Sequence, residues 1–226
     1  MTTEIVGPDW NLAAWLGDSD ERAAPDRLAR ELDRLFAGPD QSVLRRAQVR
    51  LEVALAPACY YDGISGTRLG NIFVAASERG LMAVNFGIPE AVFLASLKRG
   101  VKGRIVRSGE QTAEIRRQIV EYLDGTRSSF DLPIDWTIMT GFQRKVLEAA
   151  LAIGRGRVAT YGEIARKIGR PGASRAVGQA LGHNPMPLVI PCHRVLGSDG
   201  SLRGYGGGGG IRTKAALLRL EGVNLG

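Results

Sequence analysis

TYGEIARKIGRPGASRAVGQAL, residues 160–181, reads as two short helices around a tight turn, and this stretch sets the class of the fold. Thr160-Tyr161-Gly162-Glu163 has the form of a capping box, in which a hydroxyl and a carboxylate three residues apart satisfy each other's backbone N–H groups. Tyr161, Ile164, Ala165 and Ile168 then share one helical face, and Gly169-Arg170-Pro171-Gly172 makes a turn. A further helix is expected from about Ser174 to Leu181. The pattern is that of a helix-turn-helix, although many packed helix pairs share it.

Upstream, Thr140-Gly141-Phe142-Gln143 repeats the capping form and opens a helix with Phe142, Val146, Ala149, Ala150 and Ile153 facing inward. The preceding stretch has another character. Asn71–Ser77 and Leu81–Phe86 are short apolar runs around Glu78-Arg79-Gly80, which predicts a hairpin. Pro89 opens a helix reaching about Arg99, with Gly100 closing it. A second helix, Thr112 to Asp124, places Ile115, Ile119 and Leu123 on one face and stops at Gly125. Phe130–Ile134 is expected to be a strand, followed by a linker. Near the start, Leu28, Leu32, Leu35 and Phe36 predict an amphipathic helix over 25–37, ended by Gly38-Pro39. The chain is therefore expected to be α+β. It divides into an extension over 1–45, a small α/β scaffold domain with an antiparallel sheet over 46–135, and a mostly helical, winged-helix-like domain over 136–226.

Charge follows the same division. The net charge is +7, but residues 1–100 hold 11 basic and 13 acidic side chains, whereas 136–226 hold 13 basic and 4 acidic. A basic half beside a neutral one suits a polyanion such as nucleic acid. The two cysteines, Cys59 and Cys192, are too far apart in sequence to indicate a disulfide framework, which fits a reducing compartment. No signal peptide or apolar run long enough for a membrane span is recognisable, so a cytoplasmic, nucleoid-associated protein without a membrane partner is expected. Both histidines, His183 and His193, lie near Cys192, and residues 1–135 contain none. No metal-ligand spacing occurs, so neither zinc nor any other cofactor is expected.

The chemistry concentrates in Pro191-Cys192-His193-Arg194-Val195. A thiol beside an imidazole can be a thiolate at neutral pH, and thiolates are soft nucleophiles. These residues alone leave several functions open. A Cys-His hydrolase would need turnover of an acyl or amide substrate and an oxyanion hole, for which nothing here is a candidate. A winged-helix regulator would make Cys192 incidental, and Cys59 reads as a buried structural thiol.

Taken in order, Thr140-x-Phe142-Gln143, Arg175-Ala176-Val177-Gly178, Asn184-Pro185, the Cys192 motif, Gly204-Tyr205, Lys214, Leu217-Leu218 and Glu221-Gly222 resemble the O6-alkylguanine-DNA alkyltransferases. These are also called methylated-DNA–protein-cysteine methyltransferases. The resemblance is strong over about 136–222, looser over 46–135 and absent over 1–45. It implies a helix-turn-helix DNA-binding and catalytic domain that moves an alkyl group from guanine O6, and from thymine O4, to Cys192. The thioether formed is inert, so each molecule acts once. His193, oriented by Glu221, would act through a water as the base; Tyr161 would support protonation of the purine, and Asn184 would tie the recognition helix to the cysteine segment. Flipping of the base from double-stranded DNA is implied on the minor-groove side. Arg175 would fill the vacated space, while Ala173 and Ser174 allow close approach. Val195 would supply a backbone contact to the base, and Tyr205 and Gly206 would belong to the covering loop. A monomer is implied. The run Gly206–Gly210 is longer than the family's pattern and carries a large ordering entropy, so a mobile loop is expected. The alkyltransferase-like proteins, which bind damage without transfer, differ by lacking the cysteine.

Overall fold

The hairpin around Glu78-Arg79-Gly80 forms one edge of a four-stranded sheet in the computed structural model, which describes residues 30–31, 38, 40–55, 58–101 and 103–224. Strands β1 (Ala58–Thr67), β2 (Gly70–Ser77) and β3 (Gly80–Phe86) form an antiparallel meander. β4 (Arg104–Arg107) pairs with β1 in parallel, giving the order β3-β2-β1-β4. Period-two alternation divides β2 between two cores. Ile72, Val74 and Ala76 face the larger one, while Phe73 and Ala75 face the smaller, where Phe73 stacks on Phe93 of helix α2 (Glu90–Gly100) with ring centroids 5.6 Å apart. Each fully buried large apolar side chain contributes about 1.5–3 kcal/mol. A β-bulge in the β2–β3 ladder, where Ala75 pairs with Ala83 but Ala76 with Leu81, lets Leu81 and Val84 face the same core despite opposite parity.

The chain divides between Glu52 and Val53 into two units. Helix α1 (Gln41–Leu55), which begins before that point, exposes Val43, Leu44, Val49 and Leu51. The helix expected over 25–37 falls outside the described residues except at Arg30 and Glu31, which are helical. Within Val53–Gly226, helix α3 (Ala113–Leu123) packs Ile115, Ile119, Tyr122 and Leu123 into the larger core. It ends where Gly125 adopts a positive φ of 80°.

The expected strand Phe130–Ile134 is not formed. Only Ile134 bridges to Leu81: Leu81 N–H donates to the Pro133 carbonyl at 2.8 Å and Asp135 N–H to the Leu81 carbonyl at 3.0 Å. Pro133 has no N–H to extend a ladder, and Asp135 instead caps a 3-10 turn over Trp136–Ile138. At Thr140, half of the anticipated capping box is present. Thr140 accepts from the Gln143 N–H, but Gln143 Nε2 donates to the His183 carbonyl at 2.9 Å, tying helix α4 (Gly141–Leu151) to the end of a later helix.

The full capping box does form at Thr160 and Glu163, opening α5 (Tyr161–Lys167), which is followed after the turn by α6 (Ser174–Gly182). Two short parallel strands, β5 (Ala159–Thr160) and β6 (Val195–Leu196), close this segment at both ends, pairing Ala159 with Val195. A 3-10 turn, Cys192–Arg194, immediately precedes β6, and α7 (Gly210–Leu220) completes the body. The pairing thus brings the cysteine to the start of the helix pair. Among the described residues, no helix is long and apolar enough to cross a membrane.

Candidate active site

Cys192, His193 and Arg194 are all buried, and each turns to a different part of the fold. The sulfur is held by Asn184, whose Nδ2 donates to Cys192 Sγ at 3.2 Å and to the Ile190 carbonyl at 2.9 Å. Its Oδ1 accepts the Met186 N–H at 3.0 Å. One amide therefore organises a tight buried turn, at whose tip Leu188 takes a left-handed φ of 80°, a conformation non-glycine residues seldom adopt. Asparagine suits the position because its side chain offers donor and acceptor together.

His193 turns toward Glu221, the C-cap of α7, with Nε2 2.6 Å from Oε1. The same oxygen accepts from the Tyr122 hydroxyl and, at 3.0 Å, from Arg194 Nη2. The other, Oε2, accepts from Arg194 Nε at 2.8 Å. Burial alone would push the Glu221 carboxyl up, but hydrogen bonds from His193 and Arg194 outweigh it and hold the group at about 2. Burial also pushes the His193 imidazole below its ordinary pKa, more strongly than Glu221 pulls it up. Its Nδ1 is buried with no protein partner.

The thiol expected to ionise through its neighbour is held differently. Burial pushes Cys192 up, and the hydrogen bond from Asn184 and the charge of Lys214 only partly offset this. Burial thus favours the neutral thiol and the neutral imidazole, while their partners favour an ionised Glu221. Desolvation outweighs proximity here because Cys192 belongs to the main apolar core.

Three more residues close around this group. Lys214, fully buried, donates to the Val195 carbonyl at 2.6 Å, and its ammonium lies 5.9 Å from the centre of the Tyr161 ring. Burial lowers its pKa to about 8. Tyr161 is half-buried, with its phenol pushed up chiefly by desolvation and next by Cys192. The Tyr205 ring meets His193 edge-on at 6.4 Å, and its hydroxyl is buried without a partner.

The glycine run beside Tyr205 is packed rather than loose. A Cβ on Gly206 would stand 2.6 Å from the Gly182 carbonyl oxygen, one on Gly207 would strike the Phe86 ring at 2.7 Å, and one on Gly208 would overlap the Phe86 carbonyl. Thr213 Oγ1 also donates to the Gly208 carbonyl at 2.6 Å. Close backbone approach, rather than freedom, is what these positions require.

The structure thus gathers Cys192, His193, Glu221, Asn184, Tyr161, Val195 and Tyr205. Arg175, Ala173 and Ser174 lie apart from the hydrogen-bonded cluster, at the start of α6, with Arg175 exposed. Tyr122 was missed by sequence reasoning, because a tyrosine on the inner face of an amphipathic helix reads as core. Arg194 and Lys214 stand within recognisable motifs, but their burial is a property of the fold. Among the described residues, no group of three or more His, Cys, Asp or Glu could hold a metal ion.

Two family descriptions match the chain. The 6-O-methylguanine DNA methyltransferase ribonuclease-like domain covers residues 60–136, and the DNA binding domain of the same family covers 141–223. A methylated-DNA–protein-cysteine methyltransferase of Methanosarcina acetivorans is 41% identical over 72% of this chain and 98% of its own length. The chain belongs to the 6-O-methylguanine DNA methyltransferase family. Another of its members, from Mycobacterium bovis, is 51% identical over 46% of this chain, and that match spans 61% of the relative's length. Among solved structures, the family's Mycobacterium tuberculosis OGT in complex with DNA superposes with a TM-score of 0.61 at 36% identity, covering 72% of this chain and 92% of that one.

Proposed function

We propose that the chain repairs DNA by moving the alkyl group of O6-alkylguanine, and of O4-alkylthymine, onto Cys192 in a single irreversible turnover. The observation that carries this reading is that two hydrogen-bonded pairs, Asn184–Cys192 and His193–Glu221, meet at adjacent buried residues following a helix-turn-helix. The His193 Nδ1, buried and free of protein partners, is suited to take the thiol proton through one bridging water, while Glu221 holds the opposite nitrogen. The resulting thiolate is stabilised by the Asn184 amide and the Lys214 ammonium. Sulfur then attacks the saturated carbon in line with the carbon–oxygen bond. The S–C bond forms as the C–O bond breaks, the electron pair leaves with the purine, and a proton supported by Tyr161 neutralises that leaving group. The thioether cannot be hydrolysed, which makes the protein a reagent used once.

On the same reading, residues 136–226 engage double-stranded DNA from the minor groove as a monomer, after a scaffold domain over 46–135 and an extension over 1–45. Arg175 enters the stack when the damaged nucleotide is rotated out, with Ala173 and Ser174 keeping that helix end narrow. Val195 contacts the flipped base through its backbone, and Tyr205 with Gly206 covers it. Exposed Arg166, Arg170 and Lys167 are placed to meet phosphates, which suits a cytoplasmic protein associated with the nucleoid. The test is intact and peptide mass after mixing with an oligonucleotide carrying one O6-methylguanine. One added methyl on the Cys192 peptide, saturating at one per protein, is the expected result; tight binding without a mass change would overturn it.

A further inference from the structure

Tyr122 comes from α3, 99 residues before Glu221, in the half of the chain that supplies none of the other relay groups. Its ring is fully buried and fixed on two sides, by Phe130 at 4.8 Å between centroids and by the Arg155 guanidinium 5.0 Å over its face. Arg155 is itself anchored on the Arg127 and Leu220 carbonyls at 2.9 and 3.0 Å. The hydroxyl is therefore aimed, and it donates to Glu221 Oε1, the oxygen that also receives His193.

Charge neutralisation does not require this bond, because Arg194 already forks the carboxylate through Nε and Nη2. The phenol adds a third donor to one particular oxygen. A carboxylate oxygen shared among donors gives less to each, and the positive end of the O–H dipole lies beside the imidazole that must remain neutral to accept a proton.

We propose that Tyr122 is a positioning residue of the relay: it fixes the Glu221 carboxylate for His193 and limits how strongly that carboxylate draws a proton onto the imidazole. This rests on the reading of His193 as the base. The other charged or titratable groups facing His193 are Arg194, Lys214, Cys192 and Tyr205; of these, Arg194 also donates Nη2 to the Tyr122 hydroxyl at 3.5 Å, a bond lost with the phenolic oxygen, while its shorter bonds to Glu221 remain.

The variant is Tyr122→Phe, which keeps the ring between Phe130 and Arg155. Without the competing donor, Oε1 favours the imidazolium, so the titration midpoint of His193 rises. The chain has two histidines, so imidazole NMR against pH reads His193 directly once an exposed His183→Gln change identifies the other signal. The expected shift is upward by roughly half to one pH unit, and the acidic limb of single-turnover methyl transfer moves with it. A purely structural tyrosine would lower the melting temperature and slow transfer equally at all pH values. An unmoved midpoint with an unmoved limb therefore overturns the proposal. If Tyr122→Phe does not fold, 3-fluorotyrosine at this position, a stronger donor, should shift the midpoint down instead, and no shift overturns the proposal equally. Absence of methyl transfer by the wild-type chain would sink the repair reading, while the NMR midpoint would still decide the role of Tyr122.

Discussion

Replacing Asn184 with alanine separates the chemistry of this site from its stability. Three hydrogen bonds disappear: to the Ile190 carbonyl at 2.9 Å, to Cys192 Sγ at 3.2 Å and from the Met186 N–H at 3.0 Å. Ile190 keeps its bond from the Cys192 N–H at 2.8 Å, whereas the Met186 N–H is left buried without a partner. Orphaning one buried donor costs about 1–3 kcal/mol and each of the two other lost bonds about 1, so stability should fall by roughly 3–5 kcal/mol. The bond to sulfur strengthens when the thiol ionises. Hydrogen bonds to charged groups are worth about 1.5–3 kcal/mol, or one to two pKa units at Cys192, which corresponds to a 10- to 100-fold slower single-turnover transfer. Raising the pH should recover part of that loss. Asn184→Asp retains the acceptor for Met186 but sets a carboxylate beside the forming thiolate, so it should be the more stable and the slower of the two. Transfer by Asn184→Ala within twofold of wild type, or faster transfer by Asn184→Asp than by the alanine variant, would refute this account of the sulfur.

Arg175→Ala should slow repair in duplex DNA far more than reaction with free alkylguanine, since its proposed work is to replace a flipped base; equal slowing in a stopped-flow comparison would count against that role. Affinity for undamaged duplex should fall steeply between low and physiological salt, and a flat titration would remove the electrostatic argument for residues 136–226. Acid should unfold the chain in two overlapping stages. The folded-state pKa of His193 is depressed, so its contribution is intact above about 6.5 and declines as pH falls below that value, because the unfolded chain protonates first. Glu221, held at about 2 against an ordinary 4.5, contributes on the order of 3 kcal/mol that is lost as pH falls from 4.5 toward 2; stability unchanged between neutrality and pH 4 would contradict both. Finally, Gly208→Ala drives a methyl onto the Phe86 carbonyl and should cost about 1–3 kcal/mol, read as a lower melting temperature, whereas an unchanged one would mean that the glycine run is not packed as described.

Much of this was legible in the chain because the signals were local. The Thr160–Glu163 box, the Glu78–Gly80 turn and the glycine at 125 each act within a few residues, and each formed as expected. Asn184, Cys192, His193 and Glu221 could be named in advance from motif order, and the fold does bring them together. What escaped depends on distant partners. Nothing near Tyr122 points to Glu221. Thr140-x-x-Gln143 has the letters of a reciprocal box, but a carbonyl 40 residues away claims the glutamine. The burial of Cys192 escaped for the same reason: adjacency to His193 is visible in sequence, while the apolar surroundings that raise the thiol's pKa are not. The glycine run misled too, since conformational entropy is written in composition and the proximity of Phe86 is not.

The short pairing of Ala159 with Val195 has a wider consequence. It turns the stretch between them into a closed ring, clasped by backbone bonds where it begins and where it ends, with both helices of the pair and the sulfur on the same circuit. Such a ring opens as a whole or not at all, so hydrogen exchange along it should be governed by one opening event. A residue inserted between Pro191 and Val195 would shift the nucleophile relative to the clasp, whereas one inserted in the exposed turn 169–172 would be absorbed there. On the proposed reading, the distance from where DNA would be gripped to where it would be repaired is thus set within this clasped stretch.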